Sequence, residues 1–107
     1  MKTYEGSHAP NGLCVVTVDG KALSPKPSQK IRNHSPDGFG WGYGGSGPAQ
    51  LALAILLDYY GDPEKARALY QSFKFRVVAG WPQESNWKIT GAEIEMVCAA
   101  IEEVRPA

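Results

Sequence analysis

The chain has 107 residues, with eleven basic and eleven acidic side chains, a formal net charge of zero and 43% hydrophobic residues. Those figures are those of a single domain, residues 1–107, able to bury a core without metals or disulfides. They exclude the long-range positive field of a protein that holds a phosphate backbone non-specifically, so nucleic acid is not the expected partner.

Residues 2–6 carry Tyr4 in a short candidate strand, and the turn formers of residues 6–12 separate it from LCVVTV at 13–18, apolar and β-branched. Asp19-Gly20 then signals a type I′ turn, so residues 21–24 fold back as a partner strand and complete a small antiparallel meander. Alternation points Cys14, Val16 and Val18 to one face, the one favoured for the core, and Leu13, Val15 and Thr17 to the other. Residues 25–33, PKPSQKIRN, are polar and hold two prolines, which predicts an exposed connection. With His34, its Lys26, Lys30 and Arg32 form either a modest positive rim or a solvated loop without a ligand.

In residues 34–47, Gly38, Gly40, Gly42 and Gly44 alternate with Phe39, Trp41 and Tyr43. An extended conformation puts three rings on one face and bare backbone on the other. That bare face admits another backbone, a flat ring or an anion. The rings themselves have two readings: they plug the core, or they form a surface for a partner.

A helix follows at 48–60, with Pro48 in its first turn, Gly47 or Ser46 as cap and Gly61 as its left-handed stop. Only Gln50 and Asp58 interrupt its apolar surface, so it is buried on most sides; thirteen residues are too few to cross a bilayer. Asp62-Pro63-Glu64 starts a second helix running to about residue 79, although Phe73 to Val77 also alternates as a strand would. Gly80, Trp81 and Pro82 stop it. Residues 82–86 are loop and 87–90 short and extended. Thr90-Gly91-Ala92-Glu93 matches a capping box, and the last helix spans 91–104, ending before Pro106. The expected fold is α+β, a small N-terminal antiparallel β-meander packed on about three α-helices.

Little catalytic chemistry stands out. His34, Ser35, Asp37 and Ser46 supply a nucleophile and base in type, but Ser35-Pro36-Asp37-Gly38 is also an ordinary turn and Ser46 a cap, so the reading leans away from an enzyme. His8, Cys14, His34 and Cys98 lack the paired spacings of a zinc site, and neither metal nor cofactor is implied. The two cysteines read as buried free thiols. Free amides at Gly45, Ser46 and Gly47 open a helix and can hold a small anion, such as a nucleotide whose base stacks on Trp41 or Tyr43, but the lysine of a P-loop is missing. The preferred reading is a non-catalytic binding protein whose partner is another protein. Its site comprises His34, Asp37, Phe39, Trp41, Tyr43, Gly45, Ser46 and Gly47.

The stretch HSPDGF-x-WGY-x-GSGPAQLALAIL, where the open positions are Gly40 and Gly44, resembles a family of bacteria, phages and mobile elements catalogued as a domain of unknown function. Weaker likeness continues through residues 70–79, WKITGAEI, Tyr4, Gly6 and the 16–20 strand and turn, nearly the whole chain. The resemblance implies an intracellular domain often carried by phages and brings no activity, cofactor or catalytic residue. No apolar run follows Lys2 as in a secretory signal, so the expected location is cytoplasmic, without a membrane partner.

Overall fold

A computed structural model describes residues 2–104. Three strands open the chain, β1 (Thr3–His8), β2 (Cys14–Val18) and β3 (Lys21–Ala22), and a fourth, β4 (Trp87–Thr90), returns from the far end. The sheet order is β3-β2-β1-β4, antiparallel throughout, so the meander forms as expected, although β3 covers only Lys21–Ala22 of the return strand expected at 21–24, and the extended stretch at 87–90 joins as a fourth strand beside β1. The β2–β3 turn is the one Asp19-Gly20 demands, with φ of 50° and 83°. Asp19 Oδ1 also accepts the Thr3 amide at 2.9 Å, which ties the turn to the start of β1.

Four helices complete an α+β fold: α1 (Lys26–Ile31), α2 (Ser46–Tyr60), α3 (Pro63–Arg76) and α4 (Gly91–Val104), with a 3-10 turn at Val78–Gly80. The exposed connection expected at 25–33 is instead largely α1, with Ser28 buried at 1% exposure. Proline at 25 and 27 suits a helix start, and a partner on α2 supplies the hydrogen bond that makes burying Ser28 tolerable. Helix α2 begins two residues earlier than expected, with Gly45 as N-cap and no side-chain cap; neither Ser46 nor Gly47 has that role. Residues 73–76 are helix, as favoured over strand, but α3 stops at Arg76 because Val77, at φ −124° and ψ −66°, leaves helical geometry. Pro106 lies outside the described residues.

Local signals set the other ends. The Gly61 amide, at φ 66°, donates to Leu57 O at 2.8 Å; Asp62 Oδ1 accepts from the Glu64 and Lys65 amides. Thr90 and Glu93 form a reciprocal box, Oγ1 accepting the Glu93 amide at 3.2 Å and Oε1 the Thr90 amide at 3.0 Å.

The core lies between α2 and its neighbours on one side and one face of the sheet on the other. Every residue of α2 from Gly47 to Leu56 is buried, as expected of a stretch in which Gln50 is the one polar side chain. Tyr4, Val16, Trp87 and Ile89 fill the core from the sheet. Cys98 is a buried free thiol, but Cys14 is exposed, contrary to expectation, because it lies at the end of β2 beyond the reach of β3. Tyr4 donates its phenol proton to Asp58 Oδ2 at 2.6 Å, where Lys2 Nζ also donates at 3.0 Å, joining β1 to the end of α2. Burial first, and the Asp58 carboxylate second, push the Tyr4 phenol above its ordinary value.

Gly6 pairs with both Val16 and Trp87 and turns a bare face to the core. A Cβ there would lie 2.1 Å from Trp87 Nε1, so the indole fits only because β1 has no side chain at this point. Trp87 stacks on Trp81, with ring centroids 4.0 Å apart, and meets Trp41 edge-on at 5.7 Å. Gly6→Ala is expected to cost about 1 to 3 kcal/mol by forcing this cluster apart, read as a lower midpoint in chemical denaturation with altered tryptophan fluorescence.

Candidate functional site

The loop between α1 and α2 is held by one buried amide. Gln50, fully buried in the first turns of α2, accepts at Oε1 from the His34 amide at 2.7 Å and the Ser35 amide at 3.0 Å. Its Nε2 donates to Ser28 Oγ at 2.8 Å and to Arg32 O at 3.2 Å. All the hydrogen-bonding capacity of the side chain is used, and Ser28 passes its own proton to Pro25 O at 2.7 Å. The sequence marks Gln50 only as a polar break in an apolar helix; its partners lie 15 to 22 residues away.

The rings of the loop do not share a face. Gly42, at φ 85°, turns the chain so that its own amide donates to Val78 O and its Cα lies against Gln83, whose backbone a Cβ would meet at 2.6 Å. Trp41 consequently points inward, 1% exposed, with its Nε1 donating to Ser85 O at 3.1 Å and its ring against His8 and Trp87. Tyr43 points outward, 44% exposed, and lies across the loop's own bare backbone. Cβ atoms built on Gly40, Gly45 and Gly47 would each come within 2.7 Å of the Tyr43 side chain. The flat partner of the bare glycine face is thus a ring of the same loop.

Phe39, half-buried, stands between two open grooves. One, of about 520 Å³, is lined by Leu13 to Val16, Leu23, Pro25 and Asp37 to Phe39; the other, of about 420 Å³, by His8, Trp41, Tyr43, Gln83 and Glu84. Gly12, Cys14 and Phe39 belong to both. Around them Leu13 is 65% exposed and Val15 38%. Of the residues expected to bind, Asp37, Phe39, Trp41 and Tyr43 gather here; His34, Gly45, Ser46 and Gly47 do not line either groove. Leu13 and Val15 complete the surface, and their signal was the strand alternation that put them opposite Val16.

His34 lies on another side of the loop, where its Nε2 shares a 2.7 Å hydrogen bond with the Tyr70 hydroxyl of α3. Burial, and then the charges of Arg32 and Lys74, push its imidazole below the ordinary value, which favours the neutral ring at pH 7. Lys74 is 6% exposed, donates to Gly44 O at 3.4 Å and sits 4.0 Å from the Phe75 ring centroid. Among the described residues, no side-chain hydrogen bond joins any two of His34, Ser35, Asp37 and Ser46.

Residues 4–100 match the family described as Family of unknown function (DUF6166), and the chain belongs to it. Neither a curated protein nor a solved structure matches it. No described helix is long and apolar enough to cross a membrane.

Trp41 takes the core position among the two roles open to it. Trp41→Ala is therefore expected to cost about 3 to 5 kcal/mol of stability, measured by chemical denaturation; a loss within about 0.5 kcal/mol, as at a surface site, would contradict its packing.

Proposed function

We propose that this member of a family of unknown function is a non-catalytic binding protein that engages another protein through the surface around Phe39. The observation that carries the reading is the gathering of Leu13, Val15 and Tyr43, all exposed, around two adjoining grooves that share the Phe39 wall. Large apolar groups in water on one patch mark an interaction surface, and aromatic side chains beside concave ground are the usual anchors. Tyr43 is the anchor in place of Trp41, since its ring rests on glycine backbone and loses little freedom on binding. The proposed setting is a phage or mobile element acting in the cytoplasm, and the proposed partner in that setting is a host defence or regulatory protein.

A small anion at the start of α2 is the second reading. It is favoured by Lys74, whose ammonium group donates to Gly44 O at 3.4 Å, next to the Gly45 N-cap of a helix that has no side-chain cap. Titration with phosphate and with a nucleotide tests it through the amide resonances of residues 44–47, which would move only if an anion binds there.

For the protein-binding reading, Leu13→Asp is expected to keep stability within about 0.5 kcal/mol while weakening partner affinity by about 2 kcal/mol or more. Cross-linking in source cells with wild type and variant, beside a melting curve for each, measures both. Equal recovery of every partner by the folded variant would overturn the proposed surface.

A further inference from the structure

The apolar patch contains an open sheet edge. Strand β2 is paired with β1 along its whole length, from Val18 to Cys14, but β3 covers only Thr17 and Val18. A single further bond, from the Leu23 amide to Val16 O at 2.9 Å, ends the β3 side, and the chain then leaves through Pro25 into α1.

In an antiparallel ladder the N–H and C=O of one residue point to the same side, and successive residues alternate. Because Val16 O faces β3, the Val16 N–H and both main-chain groups of Cys14 face the same way. Leu13 O, which accepts the Ala9 amide at 2.8 Å, faces β1, as the alternation requires. None of those three outward groups has a hydrogen-bond partner among the described residues. The groove of about 520 Å³ runs along this stretch, with Leu23 and Pro25 at one end and Asp37 to Phe39 as the facing wall. Among the described residues of its lining, Asp37 is the one carboxylate, and there is no lysine or arginine.

We infer that the groove takes an extended segment of a partner protein, which adds to β2 in the place that β3 vacates after Leu23. This rests on the binding role proposed above and names what the partner supplies. Main-chain groups two residues apart offer one donor at Val16 and a donor and acceptor at Cys14, the pattern that a strand of about four residues satisfies. Apolar side chains on the added strand meet Leu23 and Phe39, and a lysine or arginine meets Asp37. A second copy of this chain fits less well. It would bring a second Asp37 and not the cation that the acidic wall invites.

The probe is the tightest binder selected from a displayed library of short linear peptides on the immobilised wild-type protein. Hydrogen exchange of the Cys14 and Val16 amides is measured with and without it. Both amides should exchange rapidly in the free protein and slow by about tenfold or more in the complex, as new hydrogen bonds require. Selected peptides should carry a basic residue, and Asp37→Asn should weaken them severalfold. Cys14→Pro removes an edge donor at a strand end, where proline is tolerated, and should weaken binding about tenfold. If the proline variant does not fold, exchange in the wild type decides alone.

A peptide that binds and is lost in Leu13→Asp, yet leaves both amides unprotected, would overturn strand addition and leave the surface standing. Protection of both amides without peptide, growing with protein concentration as dimers form in sedimentation, would make a second copy the occupant and overturn the inference. Failure to select any binder, together with unchanged partner recovery by Leu13→Asp, would overturn both readings.

Discussion

The amide of Gln50 is the constraint on which the rest of this loop depends. A glutamine carries two donors and two acceptor sites, and burying it unpaired costs about 1 to 3 kcal/mol for each group left without a partner. Here its oxygen takes the amides of His34 and Ser35, and its nitrogen gives protons to Ser28 and Arg32. One side chain of α2 thereby fixes the last turn of α1 and the first residues of the loop at once. Burial of Ser28 in α1 and the course of the chain into Pro36 both follow from it.

From that anchor the loop has to return to Gly45, the N-cap of α2, while passing beneath the β4 approach. Its glycines serve close approach more than flexibility. Gly42 lets the chain turn against Gln83, and Gly45 and Gly47 let the Tyr43 ring lie on the start of the helix. The three rings then separate by role: Trp41 joins the indole cluster over Gly6, Phe39 divides two grooves, and Tyr43 covers backbone on the outside. The surface open to a partner is what remains after the core has taken Trp41.

Signals that act within a few residues were legible in the sequence. The Asp19-Gly20 turn, the Gly61 stop, the Asp62 cap and the Thr90–Glu93 box each depend on local hydrogen bonds and allowed φ, and each is present. What escaped depends on partners far along the chain. Residues 25–33 look like a solvated connection until Gln50, 22 residues beyond Ser28, satisfies the serine hydroxyl. Period-two alternation put Phe39, Trp41 and Tyr43 on one face, a rule that holds for extended backbone and fails once Gly42 adopts positive φ. In the candidate site, Asp37, Phe39 and Tyr43 were visible as types around a glycine loop and strand alternation placed Leu13 and Val15 on the face away from Val16, whereas nothing local showed that these two groups come together.

Gln50 therefore connects packing to recognition: it holds α1 and the loop, and the loop carries the Phe39 wall of both grooves. Amide hydrogen exchange at His34 and Ser35, compared between the wild type and Gln50→Leu, tests that connection most directly. Both amides should exchange slowly in the wild type and about tenfold or more faster in the variant, with the Gly61 and Val77 amides, bonded at the ends of helices, little changed. Equal exchange at His34 and Ser35 in the two proteins, with equal stability, would contradict it.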